Sequence, residues 1–249
     1  MNAPVFFAAP DRLQGDTIAL PPEEAYHAKQ VLRLATGDRV VVVDGEGMAF
    51  RGEIVDLKVK RSALVQVHDR LRNMGEPRIK LTLAAGLSTA QKFDSVIQKG
   101  TELGVSRFVP LLTEKSRVTL DDPRRVTTRV TRLSKVALAA MKQCRRCVLP
   151  EIVEPMSLQD FLCGVDRSDT LLMFHPDRKA VPLSNFPEDE LGPRITALVG
   201  PESGFSAGEI VDAVKAGFEV VTLGDRVLRS ETAGPMVCAL LMFYCGELN

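Results

Sequence analysis

Two stretches near the carboxyl end of this 249-residue chain gather side chains suited to chemistry. In the first, LVGPESGFSAGEI (Leu198 to Ile210), an apolar run ends at Val199 and Gly200, Pro201 and Gly204 make a tight loop. Ser206, with Glu209 three residues later, predicts a capping box that opens a helix. Glu202 stands between a proline and small residues at a strand end, where packing alone does not explain a carboxylate. The second stretch is LGDRVLRSETAGPMVCALLMFYC, Leu223 to Cys245. After Gly224 come Arg226 and Arg229, then Ser230, Glu231 and Thr232 lead into an apolar helix. Backbone amides at such a helix start, flanked by arginines, favour an anionic or hydrogen-bonding ligand. A helix capped by Ser230 accounts for the apolar run, but not for Arg229 beside Glu231 at the rim.

Other chemistries lack their residues. No GxxxxGK[ST] loop is present, and no GxGxxG follows the first strand of the α/β half, so neither a P-loop nor a dinucleotide site is supported. The three histidines (His27, His68, His175) are not at metal-ligand spacing, and no catalytic metal is expected. Cys144 and Cys147 form a lone CxxC without a second pair or nearby histidines, which reads as free thiols. Five scattered cysteines give no disulfide framework and suit a reducing cytoplasm.

The elements that must position these loops follow from periodicity. Candidate strands are Ile79 to Ala85, Arg107 to Leu111, Thr170 to Phe174, Ile195 to Val199 and Glu219 to Leu223, near-continuous apolar runs suited to a buried parallel sheet. Candidate helices are Gln91 to Leu103, Pro123 to Lys142, Ala207 to Ala216 and Glu231 to Gly246. This alternation predicts an open α/β sheet, whose ligands bind beyond the carboxyl ends of the strands. The first seventy or so residues instead carry short β-branched runs, with one helical signal at EEAYHAKQVLRL. Turn formers at Asn73 to Pro77 divide a small barrel, residues 1–74, from an α/β domain, residues 75–249.

Hydrophobic residues make up 45% and charged residues 26%, so a sizeable core is available and a disordered chain is excluded. No membrane span or secretion signal is visible. Net charge is zero, but it is unevenly spread: Lys115 to Arg146 holds ten basic residues against Asp121 and Asp122, a net of +8. Such gathering suits a phosphate-binding surface, and equally a solvated helix face.

GPESGFSAGEI followed by LGDRVLRSETA resembles the motif pair of the SPOUT-class methyltransferases that modify N3 of a uridine in 16S ribosomal RNA. YHAKQVLRL (Tyr26 to Leu34), KFDSVIQKGTELGV (Lys92 to Val105) and KQCRRCVLP (Lys142 to Pro150) resemble further segments of that family, in order along the chain. The resemblance implies a small PUA-like RNA-binding β-barrel, then a SPOUT α/β domain with a trefoil knot, S-adenosylmethionine as cofactor, and a homodimer. It places Phe174, His175, Gly200, Glu202, Leu223, Gly224, Leu228, Thr232 and Ala233 near the cofactor. It also implies RNA contacts at Arg33, Lys92, Lys115, Arg145 and Arg146, on free 16S ribosomal RNA or the assembled small subunit. The chain departs from the family pattern at Val5, Lys115, Ala139 and Ser203, where arginine, arginine, glutamate and glycine are usual.

For such a transfer the uridine must leave its stack and lose its N3 proton. Glu202 or Glu231 is the candidate proton acceptor, and Arg229 the candidate stabiliser of charge on the uracil oxygens. The other readings are a SPOUT enzyme for another RNA position and a non-catalytic RNA-binding assembly protein.

Overall fold

The computed structural model describes residues 3–58, 62–116, 122–177 and 179–248; Arg117 and Asp121 of the cationic stretch lie outside them. The chain divides into two compact units, Met1–Glu76 with Leu138–Leu149, and Pro77–Ala137 with Pro150–Asn249.

The first unit contains β1 (Val5–Phe7), β2 (Leu13–Gln14), β3 (Thr17–Leu20), α1 (Pro22–Tyr26), β4 (Arg39–Val43), β5 (Met48–Lys58) and β6 (Ser62–Arg72). They form one six-stranded sheet in the order β1-β4-β5-β6-β3-β2. The long β5–β6 pair breaks register between Arg51 and Gly52 and between Ile54 and Asp56, irregularities that bend a strand pair. Phe6, Ile18, Leu20, Val42, Ile54 and Val65 fill the core. The helical signal at EEAYHAKQVLRL yields only five α-helical residues, followed by a π-turn over His27–Val31. Ala25 and Ala28 are buried there, Val31 and Leu32 stay exposed, and Arg33 ends the turn in a left-handed conformation (φ 56°).

Residues 138–149 belong to this unit, whereas the sequence boundary assigned them to the α/β half. Met141 and Cys147 are fully buried in a cluster with Val41, Val43 and Ala49, a tertiary attraction that local patterning does not reveal. Burial, with Glu76 nearby, pushes the Cys147 thiol up to about 11, so it stays protonated and unreactive at neutral pH.

The second unit runs β7 (Lys80–Gly86), α2 (Ala90–Glu102), β8 (Arg107–Leu112), α3 (Pro123–Cys144, whose last residues belong to the first unit), β9 (Glu151–Ile152), β10 (Met156–Ser157), α4 (Leu158–Gly164), β11 (Thr170–Phe174), β12 (Val181–Pro182), β13 (Arg194–Val199), α5 (Ala207–Ala216), β14 (Glu219–Thr222) and α6 (Ser230–Tyr244). All its strand pairs are parallel, in the order β10-β8-β7-β13-β11-β14-β12, with β9 beside β8. Leu111, Phe161, Met173, Leu198 and Phe218 pack one core cluster of this unit. Among the described residues, no helix is long and apolar enough to cross a membrane.

Candidate functional site

Because β11 pairs with both β13 and β14, with Phe174 opposite Val199 and Val221, the loops after these three strands emerge side by side. They enclose a cavity of about 410 Å³. Phe174, Val199, Phe205, Leu228 and Val237 supply apolar lining, while His175, Lys115, Glu202 and Arg226 supply polar groups. Gly224 takes a left-handed φ of 100°, and a Cβ there would meet nothing within 4 Å, so a side chain at this position would project into open space against the lining. The same bare backbone occurs at Gly204.

The floor is set by close backbone packing. A Cβ on Gly86, at the end of β7, would lie 2.4 Å from the Pro201 nitrogen, so only glycine lets the 200–206 loop sit where it does. Gly86→Ala is expected to cost about 3 kcal/mol, read as a lowered denaturation midpoint. Gly164→Ala, with nothing within 4 Å of the added carbon, should leave it nearly unchanged.

The loop is braced from one side by residues 113–116. Lys115 Nζ donates to the Phe205 carbonyl (3.0 Å), and the Ser203 hydroxyl donates to the Lys115 carbonyl (2.9 Å). The amide of Glu114 donates to Glu209 (2.7 Å), which also closes the predicted capping box with Ser206. Two departures from the family pattern, Lys115 and Ser203, are thus in contact. Lys115, expected to contact RNA, spends one donor of its ammonium group on the loop and lines the cavity.

The two carboxylates differ. Glu202 lines the cavity and is ion-paired with Lys92, from the first turn of α2. Glu231 does not line it; the amide at Glu231 itself holds its carboxyl below the usual range, with Lys92, the Ser230 hydroxyl and Arg229 acting in the same direction. Arg229, not Ser230, occupies the N-cap position of α6 and offers no side-chain cap, which corrects the predicted cap. Burial, then Lys115, lower the His175 pKa against the opposing pull of Asp177, leaving a neutral imidazole at physiological pH.

Phe174, His175, Gly200, Glu202, Leu223, Gly224, Leu228 and Ala233 therefore line one cavity, while Thr232, Arg229 and Glu231 lie outside its lining. Arg226, Phe205, Thr222 and Val237 join it without having been singled out as cofactor neighbours; their place in or beside the two strand-end stretches is the only sequence signal, and Arg226 within LGDRVLR carries it most plainly. Arg33 and Arg145 are exposed in the first unit, and Arg145 donates to the Ala3 carbonyl (3.3 Å). Arg146 corrects the RNA expectation: it is 2% exposed and its guanidinium is spent on Glu76, beyond reach of an RNA phosphate. Among the described residues, no group of three His, Cys, Asp or Glu side chains could hold a metal ion.

The RNA methyltransferase domain family matches residues 75–242, and the RNA methyltransferase PUA domain family matches residues 20–67. The ribosomal RNA small subunit methyltransferase E of Synechocystis sp. is 30% identical over 233 residues, 93% of this chain and 74% of its own. The Bacillus subtilis protein of the same name is 27% identical over 94% of this chain and 93% of its own. The crystal structure of the Neisseria gonorrhoeae protein of that name, bound to S-adenosylmethionine, superposes with a TM-score of 0.87 at 27% identity, covering 97% of this chain and 98% of that one.

Proposed function

Since the chain belongs to the ribosomal RNA small subunit methyltransferase E family, a PUA domain followed by an RNA methyltransferase domain, we propose that it methylates N3 of a uridine in the decoding region of 16S ribosomal RNA with S-adenosylmethionine as donor. The observation that carries this reading is the three-strand cavity itself, whose apolar walls and bare glycines fit a nucleoside-bearing cofactor. Phe174, Leu223, Leu228 and Ala233 would hold it, with Gly200 and Gly224 allowing close approach. When bound, it supplies an electrophilic methyl group that needs no metal.

The residues around it have separable tasks. Glu202, facing the cavity, takes the N3 proton; Lys92 orients that carboxylate through their ion pair. Glu231 is a poor acceptor, because the helix start stabilises its ionised form. Arg229 stabilises negative charge on the uracil oxygens from outside the cofactor cavity. The target uridine is unpaired or extruded to expose its pairing edge. The exposed apolar side chains Met236 and Phe243 of α6 support pairing of two copies, and a ribosomal RNA substrate supports a cytoplasmic place of work.

Glu202→Gln is expected to slow single-turnover transfer about 100-fold, with partial recovery as pH rises and uracil ionises unaided. Glu231→Gln should change the rate little. If Glu202→Gln keeps the wild-type rate across the pH series, carboxylate catalysis is wrong and transfer proceeds by positioning and electrostatics. The function itself is tested by incubating the purified protein with labelled cofactor and 16S ribosomal RNA or small subunits. Label in N3-methyluridine supports it, and a protein that binds RNA without transferring label contradicts it.

A further inference from the structure

The first unit carries a surface that the methyl-transfer site does not use. Its short α1 runs into the π-turn over His27–Val31, where the Leu32 amide donates to the His27 carbonyl (3.0 Å) and the Leu34 amide to the Ala28 carbonyl (2.9 Å). Such widened turns recur at functional sites. This one buries Ala28 and leaves Tyr26, Val31 and Leu32 exposed around it. They are three of the four exposed large apolar side chains described in this unit, the other being Val55. Single apolar residues on a surface need no explanation, but a group within seven consecutive residues marks a place of contact.

The surface is anchored from below and charged at its edge. Glu24 is buried and ion-paired with Lys142, and His27 meets the Phe6 ring edge-on with centroids 6.1 Å apart, so α1 is held in place while Tyr26 stays 58% exposed. Lys29 and Arg33, three and seven residues past Tyr26, are exposed as well. The ion pairs described in this unit use Arg51, His68, Arg70, Lys142 and Arg146, and none of them takes Lys29 or Arg33. Between Pro22 and Leu34 the one exposed carboxylate is Glu23. Arg33 also stands where a helix end ordinarily takes glycine, in a left-handed conformation (φ 56°) that strains any side chain. Its side chain is exposed, so packing does not offset that strain, and strain of this kind gathers at ligand sites.

We propose that this surface binds one unpaired nucleotide of the substrate RNA, its base stacked on the Tyr26 ring beside Val31 and Leu32 and its flanking phosphates held by Lys29 and Arg33. An aromatic ring offers any base a flat apolar partner, and cations beside it suit the backbone, which is how single strands are held without reading their sequence. A duplex offers no such base, because its bases are already stacked on one another. The charge favours RNA over a protein partner: two unpaired cations flank the patch, and the segment lies within residues 20–67, matched by the RNA methyltransferase PUA domain family. None of these residues lines the methyl-transfer cavity, so this is a second contact with the RNA, made by the first unit.

This subsite rests on the RNA reading above, and the test separates the two. Full-length wild type, Tyr26→Ala, Tyr26→Leu, Tyr26→Trp and Arg33→Asn are compared for binding of a single-stranded 16S ribosomal RNA fragment and of a fully paired duplex of the same length. A salt series is run on each, with cofactor affinity and melting temperature measured in parallel. Tyr26→Ala and Tyr26→Leu are expected to weaken binding of the single strand about tenfold, with the log–log salt slope unchanged and the duplex unaffected. Tyr26→Trp should bind like wild type, and because the chain has no tryptophan of its own, quenching of the new emission reports the stacked base directly. Asparagine tolerates the left-handed backbone, so Arg33→Asn should lower the slope by about 0.7, one single-strand phosphate contact, without lowering the melting temperature. Cofactor affinity should be unchanged throughout. If Tyr26→Ala or Tyr26→Leu binds the single strand like wild type, if single strand and duplex lose equally, or if the tryptophan is not quenched, the stacking subsite is wrong. An unchanged slope for Arg33→Asn removes the phosphate contact from it. A wild type that neither binds nor methylates RNA overturns the RNA reading, whereas one that does both while Tyr26→Ala binds like it overturns the subsite alone.

Discussion

Replacing Arg229 with glutamine is expected to lower the rate of methyl transfer about 100- to 1,000-fold, equivalent to about 3 to 4 kcal/mol, while cofactor affinity changes little. Its neighbour Leu228 lines the cavity, and Ser230 begins α6, so the backbone on either side is fixed. The guanidinium is exposed at the N-cap position, with Glu231 as its nearest charged neighbour along the helix. It is therefore free to turn toward the base that enters from outside. Single-turnover rates at saturating cofactor measure this directly. Equal losses in rate and in cofactor affinity would mean that Arg229 only shapes the loop.

The second large effect is on stability. Glu76 accepts from Arg146 Nε and Nη2 (3.1 and 2.8 Å) and from the amides of Cys147 and Val148 (both 2.9 Å). The two side chains are 5% and 2% exposed. Glu76→Ala strands a buried cation and leaves two amides without their acceptor, and is expected to cost about 3 to 5 kcal/mol. That is a large share of the roughly 5 to 15 kcal/mol that holds a typical domain folded. Arg146→Ala should be comparably damaging, because it leaves a buried carboxylate without its cation. Chemical denaturation followed in the first unit checks both. An Arg146→Ala protein that keeps its midpoint and loses only RNA affinity would restore Arg146 to the RNA surface.

These residues also mark where sequence reading stops. Apolar runs such as Thr170–Phe174 and Arg194–Val199, and the Ser206–Glu209 box that starts α5 at Ala207, carry their structure locally and were legible. α4, seven residues long despite its Ser157 cap, and the two-residue strands β9 and β10 are too short for a period to register. The site loops were legible because strand ends and glycines announce them. The partners were not: Arg146 looks like any member of a +8 run until Glu76, 70 residues earlier, is brought against it. Lys115 likewise becomes a brace only once Phe205 and Ser203 arrive beside it. Charge counts record how many cations a segment has, whereas folding decides which of them remain available to a phosphate.

The proposed function requires that one methyl group be placed on N3 of one uridine in 16S ribosomal RNA. Mass spectrometry of nucleosides from that RNA, in cells with the gene deleted and in the same cells carrying the gene or its Arg229→Gln variant, tests it most directly. N3-methyluridine is expected to disappear on deletion, to return with the wild-type gene and not to return to full level with the variant. Unchanged N3-methyluridine after deletion, or the loss of a different methylated nucleoside, would contradict it.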